Sequence, residues 1–319
     1  MGRLFAGVEI GGTKQQIAIA DETGKIIDLI SEKIAIPNGA PDILAWIESK
    51  LPAALAKYPE VESIGVGFGG PLESRTGRVT ISVQVQGWKD FEIKNWFEEK
   101  FKLPTMVVND TVAGGYAELL NGAGRGCRNF YYTNIGTGIG GALFFDGKTF
   151  DGIGFGGAYM GNTYTLDPRK MDGSVCRVEE VCSGTGIENI MRTPGRIPET
   201  SKLYELCGGD ISTVNCKMLG IAAADKDAAA LDIIDKFAWI YSITIANTIT
   251  MFSPERVAIG GGVGNMGETI LEPIRYYTDK YVFISAKGKY SIVQSELLDM
   301  NVLVGAVLYA RDGFITIGS

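Results

Sequence analysis

LFAGVEIGGTKQQIAIA (residues 4–20) reads as a short β-prone run, a glycine turn at Gly11-Gly12-Thr13-Lys14 and a second β-prone run. FYYTNIGTGIGGALFF (residues 130–145) repeats that pattern loosely around Gly136-Thr137-Gly138-Ile139-Gly140-Gly141. A turn made of glycines lets backbone N–H groups approach phosphate oxygens without a Cβ in the way, and threonine adds a hydroxyl donor. Two such units facing each other would make a cleft between two α/β halves, where a ligand can be enclosed. Between them, TMVV (residues 105–108) reads as a strand that ends on Asn109-Asp110, and side chains at strand ends are well placed for chemistry. A carboxylate there could take a proton from an attacking hydroxyl, which is the layout of a phosphoryl-transfer enzyme.

The chain continues the α/β alternation outward from these turns. Residues 25–36 extend the opening meander, residues 42–57 place Ile43, Leu44, Ile47, Leu51 and Leu55 near helical spacing, and residues 63–68 read as a buried strand ending at Gly69-Gly70-Pro71. Helices are expected over 93–101, 111–120, 228–251 and 301–311, and a strand over 256–259 that leads into Gly260-Gly261-Gly262. The 319 residues suffice for two domains, and 45% hydrophobic with 21% charged residues is the composition of a soluble globular protein. Lys and Arg number 30 against 37 Asp and Glu, a net charge of −7 that disfavours a nucleic-acid-binding surface. No stretch approaches ~18 uninterrupted apolar residues and no signal sequence opens the chain, so no membrane partner and a cytoplasmic location are expected.

Histidine is absent, which removes a Ser-His-Asp triad, a Cys-His pair and a His-ligated zinc from consideration. A general base must then be a carboxylate, Lys, Tyr or Cys. The five cysteines, Cys127, Cys176, Cys182, Cys207 and Cys216, form no CxxC pair and fit reduced structural thiols better than a disulfide frame.

Gly11-Gly12-Thr13-Lys14, Gly70-Pro71, Asn109-Asp110, Gly136 to Gly141 and Gly260 to Gly262, in this order over almost the whole chain, resemble the ROK family (repressor, ORF, kinase) of sugar kinases and sugar-responsive proteins. The resemblance implies an α/β, two-domain actin-like ATPase (ribonuclease H-like) fold with a cleft between the domains. Residues 1–112 would form the N-terminal domain and 113–302 the C-terminal domain, with a helix over about 303–319 packing back on the first. Asp110 would be the general base for a sugar hydroxyl, and Asn109 would hold the sugar. ATP phosphates would lie near Gly11, Gly12, Thr13, Lys14, Gly136, Thr137, Gly138, Gly140 and Gly141, with Gly260, Gly261 and Gly262 on the adenine side. Mg²⁺ would be carried mainly by the nucleotide, with Glu9 and Asp110 nearby or bridged through water. The other reading of Asp110 is a turn or capping residue at a strand-to-helix junction.

Glu9 stands where the family usually carries Asp. The family's Ala-Gly-Glu-x-Gly-His segment aligns with Gly157 to Asn162, so the sugar-contacting Glu becomes Tyr159 and the His becomes Asn162. That His also helps three cysteines hold a structural zinc in the family; their positions align with Lys170, Asp172 and Arg177, and no structural zinc is expected. Glu179 keeps the second glutamate of the sugar pocket, while its other reading is a solvated helix residue beside Glu180. Gln84, four residues before Trp88, stands for a sugar-contacting Asn, and Gly70 and Pro71 complete the substrate set. A pocket group left without its partner costs about 1–3 kcal/mol, so the usual glucose or N-acetylhexosamine, bound in the usual way, is not expected to be the favoured sugar.

Two functions follow. The first is an ATP- and Mg²⁺-dependent sugar kinase, with a homodimer implied by the resemblance. The second is a catalytically weak or inactive sugar or nucleotide sensor, a regulator by kinship; the first strand begins by about Leu4, leaving no room ahead of it for a helix-turn-helix module, so direct DNA binding is not expected.

Overall fold

The computed structural model describes residues 2–12, 14–82, 85–170 and 172–317. It contains two five-stranded sheets. Strands β1 (Leu4–Ile10), β2 (Lys14–Asp21) and β3 (Ile26–Lys33) form the expected meander. Helix α1 (Ala40–Lys57) then leads to β4 (Val61–Phe68), and α2 (Ile93–Phe101) leads to β5 (Thr105–Asn109). The first sheet has the order β3-β2-β1-β4-β5, with β1 antiparallel to β2 and parallel to β4, which is in turn parallel to β5. Strand β1 is buried almost throughout, as an inner strand covered on both faces must be, whereas edge strand β3 alternates partly buried and exposed residues.

Helix α3 (Asp110–Asn121) follows β5 directly. The second sheet is built from β6 (Asn129–Ile135), β7 (Ile139–Phe145), β8 (Lys148–Thr149), β9 (Arg256–Gly260) and β10 (Ser291–Gln294), in the order β8-β7-β6-β9-β10. Its helices include α4 (Val178–Cys182), α5 (Gly184–Met191), α6 (Cys216–Ala224), α7 (Ala228–Phe252) and α8 (Glu268–Tyr281). Asp227 caps α7, its carboxylate accepting from the Ala230 N–H at 2.8 Å. Ile245 and Ile249 of α7 are buried, while Trp239 is 42% exposed and donates its indole N–H to the Tyr281 hydroxyl at 2.6 Å. Among the described residues no helix is long and apolar enough to cross a membrane.

The chain resolves into two compact units, one of Met1–Arg128, Ala142–Ala158 and Asp299–Ser319, the other of Asn129–Gly141 and Tyr159–Leu298. In the first, helix α9 (Asn301–Asp312) packs against α3, β4 and β1. The approach is backbone to backbone: a Cβ on Gly65 of β4 would fall on the Ala306 carbonyl oxygen, so only glycine admits the helix there.

Candidate active site

The parallel register of the first sheet puts three chain turns at one edge. Ile10 pairs with Phe68 and Phe68 with Asn109, so β1, β4 and β5 end level with one another. Past those ends lie Gly11, Gly69 and Asp110, at the carboxyl ends of parallel strands where α/β sheets bind ligands. The Gly69 N–H donates to the Ile10 carbonyl at 3.1 Å. A Cβ on Gly69 would stand 3.3 Å from Asp110 Oδ2, so the glycine keeps the space beside that carboxylate open.

Asn109, not Asp110, caps α3. Its Oδ1 accepts from the N–H groups of Thr111 at 3.0 Å and Val112 at 3.3 Å, while its Nδ2 donates to the Gly70 carbonyl at 3.2 Å. Asp110 is the first helical residue, and its Oδ1 accepts from the Thr111 N–H at 2.6 Å. Burial raises its pKa above the ordinary carboxylate value against the lowering effect of the hydrogen bonds from Thr111 and Asn109. A partly buried carboxylate of raised basicity, held by backbone at a strand end, is suited to accept a proton.

Glu9, at the end of β1, belongs to the same group. Burial pushes its pKa up to about 7, nearby Lys14 opposes that shift, and the charges of Asp110 and Asp299 add to it. Its buried Oε2 has no hydrogen-bond partner among the described residues. An orphaned carboxylate oxygen coupled electrostatically to a second carboxylate fits a hard divalent cation or its bound water. Glu9 carries a stability consequence of definite sign. Between the unfolded value near 4.5 and the folded value of about 7, the folded chain binds more protons, so stability falls as pH rises through that window and stays lower above it. The full cost of the ionised group is about 3 kcal/mol at most. Glu9→Gln, which cannot ionise, is therefore expected to unfold at higher urea than the natural chain at pH 8, with the difference vanishing near pH 5. A lower midpoint at pH 8 would show that ionised Glu9 is stabilised rather than strained.

In the second unit, the turn between β6 and β7 is closed by the Gly136 N–H donating to the Gly138 carbonyl at 3.0 Å. Helix α5 starts against it: the Gly184 N–H donates to the Gly136 carbonyl at 2.7 Å, and Ser183 Oγ accepts from the Gly186 N–H at 3.0 Å as cap. A cavity of about 780 Å³ opens here, lined among others by Gly136, Thr137, Gly184, Thr185 and Glu188. Lys217, Gly262 and Asn265 also line it. That volume is in the range of about 300–1,000 Å³ typical of small-molecule sites. Gly140 and Gly141 lie within β7, Gly260 ends β9, and Gly261 opens a short helical turn, so these glycines shape the strands and turns behind the cavity. Cys216 also lines it, but burial pushes its thiol up to about 12, which leaves it unfit as a base at neutral pH.

Asn162 and Glu179 meet through Arg177, whose guanidinium donates to Asn162 Oδ1 at 3.3 Å and pairs with Glu179 at 3.0 Å and Glu180 at 3.2 Å. Glu179 is partly buried, and its Oε2 lies 3.1 Å from where a Cβ on Gly138 would stand, so it borders the phosphate-type turn and is not a freely solvated residue. Tyr159 is partly buried just ahead of the helical turn Met160–Asn162. Among the described residues no group of three or more Cys, Asp or Glu is arranged to hold a metal. Thr13 and Gln84 lie outside the described residues. The cavity residues Thr185, Glu188, Lys217 and Asn265 escaped the sequence reading because they sit on separate segments with no shared local motif.

The model of the ROK family matches residues 5–313. This chain belongs to the ROK family. It is 32% identical over 293 residues to a glucokinase of Halalkalibacterium halodurans, covering 88% of this chain and 86% of that one. A glucokinase of Thermotoga maritima is 28% identical over 312 residues, covering 96% of each chain. The crystal structure of a ROK family glucokinase from Streptomyces griseus in complex with glucose and AMPPNP superposes with a TM-score of 0.83 at 27% identity, over 97% of this chain and all of that one. The fold is thus the two-domain actin-like ATPase fold of the ROK kinases.

Proposed function

We propose that this chain is an ATP- and Mg²⁺-dependent kinase that transfers the γ-phosphoryl group to a hydroxyl of a hexose, amino sugar or related sugar. The observation that carries the reading is the Asp110 carboxylate, of raised basicity, fixed by Asn109 and Thr111 beside the open Gly69 at a strand end. In this reading Asp110 accepts the proton of the sugar hydroxyl as that oxygen attacks the γ-phosphorus, and Asn109 accepts or donates a hydrogen bond to a remaining hydroxyl. The nucleotide occupies the cavity bordered by Gly136, Thr137 and Gly262. Mg²⁺, held by Glu9 with Asp110 or through water, would offset the negative charge of the phosphates. Tyr159 and Asn162 give the sugar pocket a different polarity from that of the family pattern, which supports a favoured sugar other than glucose. The net charge of −7 supports action on small molecules without a nucleic-acid partner.

The test is ADP release with Mg²⁺ and ATP across a panel of hexoses, amino sugars, N-acetyl sugars and polyols. Turnover is expected on one sugar class, with glucose not the preferred member. Preferred turnover of glucose would refute the altered-pocket reading, and nucleotide binding without turnover on any sugar would replace the kinase by a sensor.

A further inference from the structure

A second cavity of about 350 Å³ lies within the second unit and shares no lining residue with the nucleotide-type cavity. Its floor is apolar, made by Val181, Ile187, Ile233, Phe237 and Ile240, each buried. Its rim holds three cations, Arg169, Arg196 and Lys236. Arg169 is held by Asp167, with Glu180 at 3.7 Å. Arg196 and Lys236 share one carboxylate, Asp232, at 3.2 Å and 2.8 Å. Arg169 is matched by two carboxylates, whereas Arg196 and Lys236 have only the half-exposed Asp232 between them, and the Nε of Arg196 is buried without a hydrogen-bond partner among the described residues. Apolar walls with an under-compensated Arg196 and Lys236 at one side of the mouth complement a molecule with an apolar body and an anionic head.

From this arrangement we infer a binding site for a small amphipathic anion, coupled to the nucleotide cavity through helix α5. Gly184, Thr185 and Glu188 face the nucleotide cavity, and Ile187 and Ile190, on the other side of the same two turns, face this one. The helix is tied to the Gly136 turn by the Gly184 N–H, so a ligand that moves Ile187 and Ile190 moves the wall of both cavities. The coupling rests on reading the larger cavity as the nucleotide site, whereas the anion site itself does not. Linkage requires the effect to be reciprocal.

Octanoate, with octan-1-ol as its neutral counterpart, probes the site by calorimetry on the full chain. One octanoate per chain is expected, bound at least about tenfold more tightly than the alcohol, a difference of about 1.4 kcal/mol. Ile190→Trp, which fills the cavity, should weaken octanoate at least about tenfold, in a chain whose circular dichroism shows that it is still folded. Arg196→Met should erase the preference for octanoate over octanol. Saturating octanoate should change the affinity for a non-hydrolysable ATP analogue about threefold or more in the natural chain and not in Ile190→Trp. Octanoate binding that is absent, or equal in the natural chain and Ile190→Trp, overturns the site. Binding that leaves the analogue's affinity unchanged overturns the coupling, and failure of the analogue to bind at all counts against the kinase reading while the octanoate result stands.

Discussion

Asp110→Asn is expected to lower kcat on the preferred sugar by about 10²–10⁴-fold and to leave the affinity for ATP within about twofold. The substitution keeps the size and the Oδ1 acceptor that takes the Thr111 N–H at 2.6 Å, so the start of α3 and the cap made by Asn109 survive. What disappears is a carboxylate that burial has made more basic than usual. Because the base acts only as the hydroxyl begins to attack, the loss should fall on kcat with little change in the KM for the sugar. No histidine exists in the chain to take over the proton. Single-turnover measurements with saturating ATP and sugar would separate the chemical step from product release. A variant that keeps full turnover would remove Asp110 from the chemistry and leave it as a first-turn helix residue.

Much of the fold was legible because the apolar runs are short, β-rich and stopped by glycine. Leu4–Ile10, Thr105–Asn109, Asn129–Ile135 and Arg256–Gly260 all end at the residues where the sequence changes from apolar to glycine or to Asn-Asp. The long helix Ala228–Phe252 and the last helix Asn301–Asp312 were likewise visible from their periodicity. Helix α8 and strand β10 were not read: α8 carries Pro273 inside it, and β10 is four residues with only Ile292 fully buried. The site was half legible. Asn109-Asp110 and the glycine turns announce themselves locally, but the level ending of β1, β4 and β5 is a property of register between strands far apart in sequence. The orphaned Glu9 oxygen is a consequence of packing, and a sequence contains no statement of it. Glu188 and Asn265 were missed for the same reason, since Glu188 looks like an ordinary helix-surface residue until α5 is seen against the cavity.

Gly65→Ala should be among the most damaging small substitutions in the first unit, and its cause lies outside the site. The added methyl would stand 1.8 Å from the Ala306 carbonyl oxygen, and the neighbouring Gly305 of α9 is equally closed in by the Ala113 carbonyl of α3. Backbone atoms cannot rotate away as a side chain would, so α9 must lift from β4 and α3 together. Overpacking of this kind costs about 1–3 kcal/mol and sometimes more. At a urea dependence of about 1–3 kcal/mol per molar, the unfolding midpoint should fall by about 1 M. Trp46 and Trp88, buried in the first unit, report that transition by fluorescence. The effect should reach activity as well: α3 begins at Asp110 and is gripped by α9, so a lifted α9 loosens the helix that carries the base. Where Asp110→Asn lowers kcat in a fully folded chain, Gly65→Ala should lower both the folded fraction and kcat, with activity recovering as temperature is reduced. An unchanged midpoint would mean that α9 can shift at no cost, and that the glycine contact reflects closeness without strain.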